Sequence, residues 1–578
     1  MLVSAWCLVD DRGQLMVVAK RGILHRGVVV GAMACLAVSG AQQALAAAAS
    51  RAQASNAPAA LKTPATVAAG RYPQPSAQET RRIVDAFKQA VRRSLGPRSG
   101  DIFVLPRKYC YVMDSAFLKP YVSRVVMNGQ ETDLPQLGNH HGTYWDYDTR
   151  IPLWLKGPEW FKAGRYEQAA TQQDIVPTVS GILGVQPPED ARGRVLQEAL
   201  RPATRVPRVV LVLVFDQGGL SLLDAHPDAT PFLNEYCKDA ARFTQARVTH
   251  IDPETIVGHA AIGTGAYPNL TGISANRPWI RQAGQTRPAV LNEQGPGPAS
   301  LESPTLSDVW LRHTSNQAIV VSQSLADRAA IGMVGHGARF AGNKKPIVNY
   351  FDDKQGIWET NERCYMSPDY LRPATITPHW EALAGPSGLW MGNPINNPFD
   401  FKFSSAAAQF DGDAMFRIVT QEPLGADDVP DLIWWSLKAT DYVSHRYGQE
   451  SLQAREALQF QDQQARRVIA ELERKVGAQN LLTVFTADHG GGPLVELTGG
   501  ARLSDETLLA AINAQFDRLQ NQVPLAQTIT STQVYLNKQE LAANRVTPDA
   551  IKAYLKQFKL QNKTFFTEVF TRRDIEKP

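Results

Sequence analysis

Val209-Val-Leu-Val-Leu-Val-Phe215 is an unbroken apolar run that ends on Asp216. Two later stretches share its grammar. Asp431-Leu-Ile-Trp-Trp435 is followed shortly by Asp441, and Leu481-Leu-Thr-Val-Phe485 leads into Asp488-His489-Gly490. Short apolar runs without alternation suit strands buried on both faces of a parallel sheet. Helical spacing lies beside them. Ile83, Val84, Phe87 and Val91 share one face of a helix over about 79–94, and Ala454, Leu458, Ala465, Val468 and Leu472 mark a longer one. Thr547-Pro548-Asp549 reads as the cap and first turn of a third helix, carrying Ile551, Leu555 and Phe558. Alternating strands and helices predict an α/β sandwich. Ligands of such sheets gather at the carboxyl ends of the strands. All three runs place an aspartate at or just beyond that end.

Composition narrows the function classes. The chain has 578 residues with Lys+Arg 60 against Asp+Glu 56, a formal charge of +4, and is 44% hydrophobic and 20% charged. Those proportions are globular and exclude a fibrous or disordered chain. A near-neutral balance offers no broad basic field, so no nucleic-acid-binding surface is expected. Five cysteines exclude a disulfide scaffold.

The first 46 residues read as a signal peptide. Lys20, Arg21 and Arg26 precede an apolar run from Val28 to Val38, and Ala44-Leu45-Ala46 offers a cleavage site. The true start is Met1 or Met16. A retained membrane anchor is the competing reading, but the apolar run is too short to span a bilayer. A periplasmic or secreted location is therefore expected. Residues 47–75, rich in Ala and Pro, read as a flexible linker. Cleavage leaves Cys110, Cys237 and Cys364, enough for one disulfide of undetermined pairing. Residues 275–425 are irregular, with Trp279, Trp310, Trp358, Trp380 and Trp390, and read as an inserted cap whose tryptophans serve its core.

The chemistry-bearing candidates gain force together. Asp441 and His445 are one helical turn apart. With Asp216 and Asp488-His489 they form a carboxylate and imidazole set at three strand ends, a mixture that suits zinc. Thr255, in Pro253-Glu-Thr-Ile-Val-Gly-His259, stands before a small-residue segment expected to be helical, where negative charge is favoured. Free threonine is a poor nucleophile and needs a metal or a base to act as one.

These residues resemble a family. Over 210–280, 303–335 and 416–490 the chain looks like the alkaline phosphatase superfamily. Within it, the chain is most similar to the threonine-nucleophile phosphatases that resemble type I phosphodiesterase/nucleotide pyrophosphatases. The matching strings are Val214-Phe-Asp-Gln217, Thr255-Ile-Val-Gly-His259, Thr264-Gly-Ala-Tyr-Pro268, Thr440-Asp-Tyr-Val-Ser-His445 and Thr486-Ala-Asp-His-Gly490. The resemblance implies a three-layer α/β/α sandwich with a mostly parallel central sheet and two Zn2+ per chain. It implies that Asp216, Asp488 and His489 hold one zinc, with Thr255 bound to it. Asp441 and His445 would hold the second with one further histidine, while His259 would be a supporting or core residue.

In that family the further histidine comes late, in a His-Gly-Thr/Ser motif. Here no histidine follows His489. The motif stands instead near the N-terminus, as Gly138-Asn-His-His-Gly-Thr143, and the family's closing pattern follows it in Asp174-Ile-Val-Pro-Thr178 and Gly193-Arg-Val-Leu196. A circularly permuted order accounts for this. Residues 76–205 match the family's C-terminal part, residues 206–578 its N-terminal and central part, and 76–578 form one catalytic domain. The spacing to Gly142-Thr143 favours His141 over the adjacent His140 as the ligand.

Two more positions concern phosphate. Asn276 matches an asparagine that binds a phosphoryl oxygen. Ser324-Leu-Ala-Asp-Arg328 resembles a Ser-Leu-Lys-Asp-Arg segment whose two cations clamp phosphate; Arg328 is kept and the lysine position is Ala326. The expected function is a secreted, zinc-dependent phosphomonoesterase that passes through a phosphothreonine and acts on a phosphorylated small molecule. The loss of the lysine favours a phosphodiesterase as the rival. A non-catalytic zinc-binding protein is a distant third. No retained membrane span is expected, and the sequence leaves the oligomeric state open.

Overall fold

The first apolar run lies between the other two. A computed structural model describes residues 72–115, 138–290, 295–338 and 345–577, together with the backbone of 122–127, 130–135, 291–292 and two short strands before residue 19. Its principal strands begin with β1 (Ile102–Pro106), β2 (Leu153–Lys156), β3 (Gly164–Thr171), β4 (Val209–Phe215) and β5 (Ala241–Arg247). They continue with β6 (Val320–Ser324), β7 (Ile347–Asp352), β8 (Ile357–Glu359), β9 (Asp431–Leu437) and β10 (Leu481–Ala487). The last three are β11 (Ala526–Ile529), β12 (Gln533–Leu536) and β13 (Phe566–Thr571).

Nine strands form the main sheet in the order β8-β7-β6-β9-β4-β10-β2-β5-β3. The five strands from β7 to β10 are mutually parallel, as are β5 and β3; β8 and β2 run antiparallel to their neighbours. Every residue of β4 is buried. Val210, Val212 and Val214 enter one core, whereas Val209, Leu211, Leu213 and Phe215 enter the other. That division explains why the run does not alternate: both faces are covered. The first core is covered by helices that include α2 (Thr255–Thr264) and α3 (Asp327–Val334), and the second by α4 (Ala406–Gln421) and α6 (Leu452–Val476). The fold is a three-layer α/β/α sandwich with a mostly parallel sheet.

Register positions the site. Phe215 pairs with Leu437 on one side and Ala487 on the other. The next residue on each strand, Asp216, Lys438 and Asp488, therefore leaves the sheet on the same edge. Lys438 opens α5 (Ala439–Tyr447), whose first turn carries Asp441.

A second sheet, β11-β12-β1-β13, is antiparallel and shares a core with α7 (Pro548–Gln557), which the Thr547 hydroxyl caps as expected. Residues before 206 thus contribute β1 to one sheet and β2 and β3 to the other. Tyr72–Pro578 form one compact unit. Its first helix, α1 (Ala77–Ser94), buries Ile83, Phe87 and Val91 against β1 and Trp145.

The expected cap over 275–425 needs correction. Residues 306–359 place β6, β7 and β8 in the main sheet, so the irregular parts are 275–305 and 360–405. β6 is Val-Val-Ser-Gln-Ser, short and half polar, and gave no apolar run to read. Trp279, Trp310, Trp358 and Trp390 are buried and Trp380 is half-buried. Cys110, Cys237 and Cys364 are buried free thiols, with burial pushing Cys237 up to about 12. Trp6–Val9 pairs antiparallel with Leu15–Val18; the rest of the expected leader, 1–46, and linker residues 47–71 lie outside the described residues. Among the described residues no helix is long and apolar enough to cross a membrane.

Candidate metal centre

Three strand ends and one loop deliver the acidic and imidazole groups. Asp216 follows β4, and its backbone turns at once through Gln217, whose φ is +57°. The Gln217 N–H donates to Asp488 Oδ1 at 3.0 Å, which ties two of the ends together. The Thr440 hydroxyl donates to the Asp216 carbonyl at 2.9 Å and locks the start of α5 against β4. Asp216, Asp441, Asp488, His489 and Thr255 are all buried, and His445 is the more open member.

The structure brings His141 to this cluster. Its Nε2 lies 3.7 Å from Asp441 Oδ1, and His445 Nε2 lies 3.3 Å from the same oxygen. The candidate ligand atoms of His141, Asp441 and His445 fall within 4.8 Å of one another, as do those of Asp216, Asp441 and His489. Asp216, His259 and Asp488 form a third such group. His259, however, has both ring nitrogens engaged, one with the Thr255 carbonyl at 2.7 Å and the other with Ser436 Oγ at 2.9 Å. The ring of His140 lies beside those of Tyr111, His141 and His445, outside all three groups.

The donor set fits divalent metal. His141 Nδ1 faces the Pro253 carbonyl, His445 Nδ1 the Asn139 carbonyl and His489 Nδ1 the Gly490 carbonyl, at 2.8, 3.1 and 2.9 Å. A carbonyl only accepts, so each Nδ1 carries a hydrogen, and in the neutral ring Nε2 is the nitrogen that offers a lone pair to a metal. Asp216 Oδ2, Asp441 Oδ1, Asp488 Oδ2 and His489 Nε2 have no hydrogen-bond partner. Buried acceptors that face one another call for a cation between them.

Electrostatics agree. Burial, then the neighbouring charges of His489 and His445, hold His141 well below the usual imidazole range. Burial and the adjacent Asp488 push Asp216 well above the usual carboxylate range. Burial works against ionising Asp441, but Lys438 and His445 outweigh it and hold that carboxyl low. Burial lowers His489 too, yet Asp488 overrides it and raises the imidazole to about 9.

Thr255 is the first residue of α2, at the helix end that favours negative charge. Asn276 Oδ1 accepts from the Ile256 N–H at 3.1 Å, which leaves its NH2 as the side chain's free donor group. The Asn276 N–H in turn donates to Glu254 Oε2 at 2.7 Å. Glu254 is a residue that sequence reasoning missed; burial and nearby Asp252 raise it to about 7. Arg328 lies in the first turn of α3, and its guanidinium feels Tyr442, Asp327, Asp216 and Asp441. Ala326, buried, occupies the N-cap of the same helix.

Lys438 was also missed. Its Nζ lies 2.8 Å from Asp216 Oδ1, 2.7 Å from Asp441 Oδ2 and 2.9 Å from Thr255 Oγ, with no exposure of the side chain. No sequence signal marked it, since a lysine that follows an apolar strand reads as a solvated boundary. A surface cleft lined by Trp160, Leu200, Arg201 and residues 203–208 contains none of these groups.

The family described as type I phosphodiesterase / nucleotide pyrophosphatase matches residues 210–577. The chain belongs to this family. Among curated relatives, alkaline phosphatase PafA of Elizabethkingia meningoseptica is 24% identical over 363 residues, which are 53% of this chain and 64% of that protein. Alkaline phosphatase PhoD of Zymomonas mobilis is 26% identical over 315 residues, 50% of this chain and 54% of its own. The chain thus spans less than two thirds of the length of either relative. The crystal structure of wild-type alkaline phosphatase PafA gives a TM-score of 0.49 at 19% identity, covering 62% of this chain and 77% of that one.

Proposed function

We propose that the chain is a zinc-dependent phosphoester hydrolase in which Thr255 is the nucleophile and a phosphothreonine the intermediate. The observation that carries this reading is the placement of one hydroxyl. Thr255 Oγ stands at the start of α2, within hydrogen-bond reach of the ammonium that bridges Asp216 and Asp441. Those two carboxylates border the imidazole groups just described. Asp216, Asp488 and His489 would hold one zinc, and Asp441, His445 and His141 the other. When bound, the ions would supply the Lewis acidity that acidifies the Thr255 hydroxyl and neutralises a leaving oxygen.

The chain's own groups account for the remaining steps. Thr255 Oγ, its proton passed to solvent water, attacks phosphorus; the bond to the leaving-group oxygen breaks, and that oxygen takes a proton from water. Water then attacks the phosphothreonine from the opposite side, which releases phosphate and restores the hydroxyl. The Asn276 NH2 and the Arg328 guanidinium are the donors for the phosphoryl oxygens as charge develops on them. Glu254 fixes Asn276 from behind.

A phosphomonoester is the preferred substrate on this reading, and the absence of a lysine at Ala326 favours a phosphodiester as the second. A leader over 1–46, expected from the sequence pattern, would support a periplasmic or secreted location. The permuted order has parallel support: the family match begins at 210, yet residues before it supply β2, β3 and His141. The deciding experiment pairs Thr255→Ala with the unaltered protein on p-nitrophenyl phosphate and bis-p-nitrophenyl phosphate, with zinc content measured in each. The variant should keep its zinc while turnover collapses by at least about a hundredfold. Near-normal turnover would refute the mechanism, and no turnover of either ester by the unaltered protein would refute the activity.

A further inference from the structure

We infer that Lys438 is a substrate-contacting residue which, with Arg328, grips the non-bridging oxygens of the phosphoryl group attacked by Thr255 and favours monoester dianions over diesters. The inference rests on the phosphoester reading above and deepens it. A lysine with no exposed side-chain surface is uncommon, and such a charge must be paired. Lys438 is paired in an asymmetric way. It takes Asp441 Oδ2, while Asp441 Oδ1 faces the imidazoles of His141 and His445. It takes Asp216 Oδ1, while Asp216 Oδ2 has no partner. Each carboxylate therefore keeps one oxygen turned away from the ammonium.

The third contact of Lys438 is Thr255 Oγ itself, at 2.9 Å. Phosphorus bonded to that oxygen carries its non-bridging oxygens within the sweep of the same three ammonium donors. Arg328 approaches from the start of α3 with a buried Nε that has no partner, and it repels Lys438. Asp216 and Asp441 act on both cations and offset that repulsion, so the pair is held beside the buried nucleophile. Charge also selects which anion. A phosphomonoester dianion carries one more negative charge than a diester monoanion, so Lys438 and Arg328 together gain more from the monoester. Ammonium and guanidinium together suit three equatorial oxygens better than either alone.

The test uses the zinc-loaded protein with Lys438→Met, which keeps the stem, and Lys438→Arg, which keeps the charge. Zinc content, calorimetric affinity for inorganic phosphate, and KM and kcat on the two p-nitrophenyl esters are compared. Lys438→Met should keep its zinc and lose about tenfold or more in phosphate affinity, the scale of one charge-assisted hydrogen bond. Its kcat/KM loss on the monoester should exceed that on the diester by a similar factor, and Lys438→Arg should recover most of the phosphate affinity. Unchanged phosphate affinity with zinc retained would overturn the inference. So would equal losses on both esters, or loss of zinc from Lys438→Met, which would make Lys438 a support for the carboxylates. If the unaltered protein binds phosphate through Lys438 but turns over neither ester, the activity reading falls and the contact stands.

Discussion

At the residue scale, His489 couples metal loading to pH. Without metal its imidazole is raised from the usual 6.5 to about 9 by Asp488, against the effect of burial, so it is charged at neutral pH. A ligand imidazole must be neutral, and metal therefore displaces that proton. Zinc affinity should rise as pH goes from 7 to 9 and flatten above; calorimetry in buffers of different ionisation enthalpy should register the released proton. The stability of the metal-free protein should move the other way. A raised histidine contributes stability that is complete below its unfolded value near 6.5 and is lost as pH climbs through about 9. Thermal unfolding of the chelated protein across pH 6.5–9 should show that decline, and a flat profile would contradict the charge assigned to His489. Asp216, Asp488 and His489 could be read from sequence because a polar residue that ends a buried run has few places to go. Lys438 could not. A lysine after a strand reads as a solvated boundary until strand register sets it beside Asp216 and Asp488.

At the scale of elements, the site depends on how closely α2 rests on the end of β10. A Cβ at Gly258 would lie 2.5 Å from the Asp488 carbonyl oxygen and 2.8 Å from its Cβ. The obstacle is backbone of a ligand segment, which does not rotate away as a side chain would. Gly258→Ala should cost about 1–3 kcal/mol by overpacking, lower the unfolding temperature and reduce zinc retention. Full zinc retention at an unchanged melting temperature would show that α2 has room to move. The pattern of small residues in α2 was visible in sequence, but the reason for Gly258 was not, since the contact joins positions 230 residues apart. β6 escaped notice for another reason. Its polar residues meet buried partners, as Ser322 donates to the Ala330 carbonyl at 2.8 Å and Gln323 to Asp411 at 2.7 Å, and such pairing leaves no apolar signature.

At the scale of the whole molecule, the order of segments can be tested by rewiring. Residues 203–206 are exposed, and α1 ends beside the far terminus, where Arg92 donates to the Ile575 and Lys577 carbonyls. The eighteen residues of α1 span about 27 Å. A linker of roughly ten to twelve residues therefore reaches from 577 back to 72. A chain that starts at 207 and carries 72–202 after 577 should fold, bind zinc and keep activity within severalfold of the parent; an insoluble or zinc-free product would count against the permuted reading. Three adjacent strands of the main sheet were legible as short apolar runs, but the second sheet was not, because β1 meets β12 and β13 only through long-range pairing. That interlocking has a consequence in time. His141 precedes Asp441 by 300 residues, and β1 precedes β13 by more than 450. At about 5–20 residues per second, the segment before 206 leaves the ribosome about 20–70 s ahead of its last partners. β2 and β3 can pair with β5 soon after they emerge, but β1 and His141 must wait through that interval, so neither the second sheet nor the complete ligand set can exist until synthesis is nearly finished.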